Sequence, residues 1–310
     1  RRRARGAPVE RGGRALRGRG RGPARRMSAR RRPLPARVLA TLGLSAAALT
    51  AAWALGLGPA GLVPRAAGAE LARDLFAAAF TPALDYQDPP SVPGVQPFLL
   101  GVLGAALRTV LFAAAAMSLA VPLAAPLALL ASDALWTRGD PRTGAVPPLA
   151  RAAQWSARVV IALLRSVHEL LWAILFLSAL GLSPASGVVA LALPFAGVLA
   201  KIGSEMLDEA DRRAWHALWM AGVPRGRALA LGLFPNAAPD LVSYGFYRFE
   251  CALRSAAVLG FFGHPTLGLY LVQSFENLHL REVWTYLYAM IALALGAEAW
   301  GAAVRRRIGR

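Results

Sequence analysis

The chain has 310 residues, 56% of them hydrophobic, with a mean hydropathy of +0.44, a formal net charge of +18 and one cysteine. The lone Cys251 excludes an intramolecular disulfide and a thiolate metal cluster within the chain. Fifteen arginines crowd residues 1–37 and most of the others flank apolar runs, a distribution that orients helices in a bilayer and shows no basic, aromatic-studded nucleic-acid face.

Residues 1–37 form a basic tail of Arg, Gly, Ala and Pro with little to bury, so disorder is expected there. The first methionine is Met27, and residues 1–26 are expected to be a translated upstream stretch or a dispensable tail. Residues 38–58 carry no charge and follow Arg30, Arg31, Arg32 and Arg37, which predicts a first span entering from the cytoplasm. A cleaved leader is the alternative, with Ala67-Gly68-Ala69 as the small-residue site, but the apolar run is too long and too far upstream for it. Residues 59–98 hold Glu70, Asp74, Asp85 and Asp88 with Pro89, Pro90 and Pro93, and are expected to lie outside.

The core is expected over residues 99–310. A second span runs from about Thr109 to Leu130, the length needed to cross about 30 Å of hydrocarbon. The loop after it carries Arg138, Arg142, Arg151 and Arg158 against Asp133 and Asp140, which places it inside. A third span is expected over Arg158–Leu180 and a fourth over Gly187–Leu199, joined by a short outer turn. An inner loop at about 201–240 precedes a fifth span over Leu241–Phe262 and a sixth over Val283–Val304. Trp284, Tyr286 and Tyr288 near the outer end of the sixth suit an interfacial aromatic belt, and Arg305, Arg306 and Arg307 close it inside. The fold class is therefore all-α, a polytopic bundle of six transmembrane helices with both termini cytoplasmic.

The inner loop reads His216-Ala217-Leu218, then Gly222 after three residues, then Gly232-Leu233-Phe234-Pro235 after nine more. A glycine after a short helix turns the chain in the left-handed region, and a proline opens the next helix. This spacing resembles the loop by which permeases of binding-protein-dependent ABC importers meet their ATPase. Ala217, Gly222 and Pro235 match that pattern, whereas His216, Leu218, Gly232 and Phe234 depart from it. Ser243 to Glu250, continuing from Arg254 through Gly263, is similar to the fifth-helix signature of the phosphonate-type permease family, and Arg165-Ser166-Val167-His168-Glu169-Leu170 to a second segment of it. His264-Pro265-Thr266-Leu267-Gly268 stands where that family has a glycine-rich stretch.

The resemblance implies a MetI-like permease fold and import of phosphonate, phosphite or a related oxyanion. It also implies a homodimer, cytoplasmic ABC ATPase partners that carry ATP and Mg, an external substrate-binding protein, and no cofactor on this chain. In agreement, Lys201 is the only lysine and is followed by Ile202, so no phosphate-binding loop ending in Lys-Ser or Lys-Thr exists. A permease for another solute and an intramembrane protease are the alternatives. The latter lacks a Gly-any-Ser-any-Gly elbow, and His168-Glu169 lacks a second histidine because Trp172 stands there. His216, His264 and His279 fall in loops on both sides, so no metal site is expected.

Arg165 and Glu169 in the third predicted span and Arg248, Glu250 and Arg254 in the fifth are ionisable residues at depths where facing lipid is costly. Two readings stand: helical pairs Arg165–Glu169 and Glu250–Arg254, each four apart, or a substrate path. Arg248 is left without a charged partner on its own helix, with Glu298 as a candidate partner from the sixth span.

Overall fold

The computed structural model describes residues 36–58, 66–88, 96–136 and 147–308. The basic tail, Arg65, Pro89, Pro90, Pro93, Arg138, Asp140 and Arg142 lie outside the described residues. Among those described, all regular structure is helical. Two units separate at residue 65, and each is described by itself. In the first, α1 spans Ala36–Ala54, an apolar helix long enough to cross a membrane.

The second unit opens with α2 (Ala66–Ala78) and is built on α3 (Phe98–Ala131) and α7 (Pro184–Glu209), which run parallel and pack along most of their lengths. Phe112 lies beside Gly187 near one end, and Ala128 is 3.4 Å from where a Cβ on Gly203 would sit near the other. In a bilayer, lipid tails offer no hydrophobic penalty to drive helices together, so close van der Waals contact between small side chains does the work. The sequence supplies them: Ala113, Ala116, Ala120 and Ala124 on α3 are buried at helical spacing, as are Ala190, Ala196 and Ala200 on α7.

The expected third span is two helices, α5 (Pro148–Ser166) and α6 (Glu169–Leu180), bent by 88°. Val167 is extended, and His168 caps α6 by accepting the Leu170 N–H on Nδ1 at 3.2 Å. The break falls in a polar cluster, Arg165-Ser166-Val167-His168-Glu169, that interrupts the apolar stretch. At about 18 Å, the 12-residue α6 is too short to cross alone. The end of α5 is packed hard against the middle of α7, where a Cβ on Gly197 would lie 2.7 Å from Leu164 Cβ and 3.1 Å from the Arg165 amide.

The fourth span is longer than expected: α7 continues past Lys201 to Glu209. A four-residue α4 (Asp133–Trp136) is stitched to its end, since Asp208 accepts hydrogen bonds from Ser132 Oγ (2.7 Å) and the Ala134 amide (2.8 Å). After it come α8 (Arg213–Met220) and α9 (Arg225–Ala228), the latter running into a π-helical turn, Leu229–Leu233. Then α10 (Phe234–Val258) ends in a 3₁₀ turn and is followed by α11 (Leu267–Glu276) at a 48° bend. Gly260 and Gly268 permit that corner, because a Cβ on either would strike the other segment's backbone. The chain closes with α12 (Leu280–Ile308), whose last turn carries Arg305, Arg306 and Arg307, the favourable sign for a helix C-terminus. Four helices are long and apolar enough to span a membrane, and counting each bent pair as one span brings the number to six.

The aromatic side chains near the start of α12 make specific contacts within the chain. Trp284 Nε1 donates to the Leu75 carbonyl at 2.6 Å and Tyr288 Oη to that of Ala79 at 2.8 Å. Both satisfy carbonyls freed at the end of α2. Tyr286 is buried edge-on against Phe98.

Candidate functional site

Between α7 and α10 the chain forms a compact corner. Gly222 has φ +88° and open space around its missing Cβ, so the backbone conformation, not crowding, demands glycine there. The amides of Gly222 and Val223 donate to the Trp219 and Leu218 carbonyls at 3.0 and 3.1 Å, closing the end of α8. Gly232 is required by a close approach: a Cβ would lie 2.7 Å from the backbone N and Cα of Trp215. Trp215 is 2% exposed and stacks on Trp219 at 5.8 Å, tilted against His216 at 4.6 Å. With Leu207, Ala228, Leu233 and Ala237 it makes a small core that ties the corner to α7 and α10. Pro235 occupies the first turn of α10. His216, Ala217 and Leu218 thus sit on α8, Gly222 on its turn, and Pro235 past the π-helical segment. The corner is a packed knob that exposes Met220, Leu231 and Phe234.

The five charges resolve unevenly. Arg165 and Glu169 lie on either side of the 88° break, so they do not share a helical face. Glu169 Oε1 instead accepts from Ser255 Oγ at 2.7 Å, tying α6 to α10. Arg165 follows Arg151 and Arg158 at seven-residue spacing along α5 and lines a cavity of about 460 Å³ with Arg158, Lys201, Asp133, Glu205 and Asp208. There Arg158 pairs with Asp133 at 2.9 Å and Lys201 with Glu205 at 2.8 Å. Glu250 and Arg254 do pair, at 3.7 Å.

Arg248 has partners on its own helix, but they are aromatic. Its Nε donates to Tyr244 Oη at 2.8 Å, and its guanidinium lies 5.4 and 5.9 Å from the Tyr244 and Tyr247 ring centroids. Counting only charges hid this; a tyrosine one turn before an arginine is the signal that was available. Among the described residues no ion pair joins Arg248 to Glu298. Among them, too, no cluster of three His, Cys, Asp or Glu side chains could hold a metal.

A bundle of long apolar helices, with two further spans each broken in the middle and a glycine-turned corner between α7 and α10, defines the class: an inner-membrane transport component of the ABC-importer type. The chain belongs to the family of binding-protein-dependent transport system inner membrane components, whose model matches residues 148–310. That family comprises transport components rather than enzymes. The chain is 29% identical over 260 residues to the phosphate-import permease protein PhnE of Mycolicibacterium smegmatis, covering 84% of this chain and 44% of that protein. It is also 29% identical over 150 residues to the phosphite transport system permease protein PtxC of Stutzerimonas stutzeri, covering 48% and 54%. The chain therefore spans about half the length of the curated relatives it matches. The same fold occurs in the MetNI methionine ABC transporter in inward-facing conformations, with a TM-score of 0.59 at 16% identity over 70% of this chain and all of that one. It occurs again in an amino acid ABC transporter, with a TM-score of 0.55 at 16% identity over 68% and 95%.

Proposed function

We propose that the chain is the permease subunit of an ATP-driven importer for a phosphorus oxyanion, with phosphonate, phosphite and phosphate as the solutes to test. The observation that carries the solute class is the naming of its relatives for phosphate import and phosphite transport. The Arg165, Arg248 and Arg254 guanidiniums support it, since their planar forks match such oxygens. Both termini lie in the cytoplasm in this reading, with the corner around Gly222 on the same side. There a cytoplasmic ABC ATPase docks on Met220, Leu231 and Phe234, carrying ATP and Mg, and His216 takes the place of an acidic contact. A second copy of the chain completes the path, and an external substrate-binding protein delivers the solute.

The test is reconstitution of the full chain with its co-encoded ATPase and binding protein in lipid vesicles. ATP hydrolysis is expected to rise when the binding protein is loaded with the oxyanion. Hydrolysis indifferent to the loaded binding protein would refute the assignment.

A further inference from the structure

The end of the bundle away from the glycine corner holds a second cavity, of about 560 Å³, between α3, the α6–α7 turn and the turn into α11. Its walls are mostly apolar, with Leu111, Phe112 and Val188 prominent, and the ionisable side chains among them are Arg108 and His264. Arg108 of α3 is exposed and makes no ion pair or hydrogen bond among the described residues. His264 is 3% exposed, and its ring nitrogens have no hydrogen-bond partner among the described residues. Its ring meets Phe112 edge-on at 5.3 Å, and its Cε1–Nε2 edge faces Gly187 in the first turn of α7, where a Cβ would come within 3.2 Å. Pro184 and the capping Ser183 bring the positive end of the 26-residue α7 to the same wall. Among the described residues no carboxylate lines this cavity, whereas the cavity at Arg165 contains three.

The site is also preorganised. Gly263, at φ +90°, reverses the chain before His264. Thr266 Oγ1 donates to the Ala257 carbonyl at 3.1 Å, and the Leu267 amide donates to Thr109 Oγ1 at 3.1 Å. Thr109 adjoins Arg108, so the turn bearing the histidine is pinned to the helical turn bearing the arginine. The imidazole that shares this cavity with Arg108 keeps both ring nitrogens free of protein partners among the described residues, so it can donate to a bound ligand.

We propose that this cavity binds a tetrahedral phosphorus oxyanion, with Arg108 supplying a guanidinium fork, His264 one N–H donor and the first turn of α7 its dipole. The anion is either the free ion or the headgroup phosphate of a lipid whose chains lie along the apolar wall. The choice of phosphorus over other oxyanions rests on the proposed function; the positive, acid-free lining does not.

The test uses the purified, delipidated full chain. Equilibrium dialysis against radiolabelled inorganic phosphate forms one arm, and native mass spectrometry with phosphatidylglycerol forms the other, with diacylglycerol as the phosphate-free control. Wild-type protein is expected to retain phosphate, phosphatidylglycerol or both, in preference to diacylglycerol, and the arm that responds identifies the source. Arg108→Gln, at an exposed position, is expected to weaken that binding about ten-fold or more. His264→Phe, which keeps the ring against Phe112, is expected to act in the same direction. Retention of neither probe, equal retention of diacylglycerol, or wild-type binding by a folded Arg108→Gln protein would overturn the site. Loss of the site with oxyanion uptake intact leaves the transport reading standing, and binding without uptake does the reverse.

Discussion

At the scale of single residues, Gly222, Arg248 and the Ser255–Glu169 contact carry the account. Gly222→Ala keeps the space but strains a left-handed backbone by about 1 kcal/mol, so coupling to the ATPase is expected to weaken. Gly222→Pro would force φ to about −65° and is expected to abolish ATPase stimulation while the helices stay inserted. Full stimulation in the proline variant would remove the corner from the mechanism. Arg248 donates to Tyr244 and lies near two rings, contacts that cost about 1 kcal/mol to lose. Arg248→Gln is therefore expected to lower uptake ten-fold or more with little change in thermal stability; normal uptake by the inserted variant would make the arginine structural. Ser255→Ala leaves the partly buried Glu169 carboxylate without its donor, which destabilises by about 1–3 kcal/mol. In a thermal melt, Glu169→Gln, which can still accept from Ser255, should lose less.

At the scale of elements, the contact between α8 and the π-helical turn makes a sharp prediction. A side chain at Gly232 would meet the Trp215 backbone, which cannot swing aside, so Gly232→Val is expected to cost about 1–3 kcal/mol by overpacking. Gly226→Ala, with nothing within 4 Å, is the control and should melt like wild type. The turn at Gly222 and the start of α10 at Pro235 were readable because glycine and proline each fix a backbone torsion. The 88° break at Val167 was read as one continuous span, although the polar cluster Arg165, Ser166, His168 and Glu169 interrupts the apolar stretch there; the cap itself is a histidine, an unusual choice whose signal is weak. The same blindness made Arg165 and Glu169 read as a helical pair. The extension of α7 past Lys201 was hidden by its charges, which face a polar cavity rather than lipid. The Tyr244 partner of Arg248 was missed because a hydroxyl and a ring face carry no formal charge.

At the scale of the whole molecule, orientation and solute are the open quantities. Reporter fusions after Arg142 and after Arg305 are expected to report cytoplasm, and one at Asp85 the outside; an external signal at Arg142 would overturn the six-span arrangement. The long apolar helices were legible because apolar length is a whole-segment property. The solute was not, because helix packing imposes no solute chemistry. The most direct measurement is ATP-dependent uptake of radiolabelled phosphate, phosphite and a phosphonate by vesicles holding the chain, its ATPase and its binding protein. The account predicts uptake of at least one of the three that requires the chain and disappears with Gly222→Pro. Uptake of none of them by vesicles with the chain inserted and the ATPase active, or uptake unchanged when the chain is omitted, would contradict it.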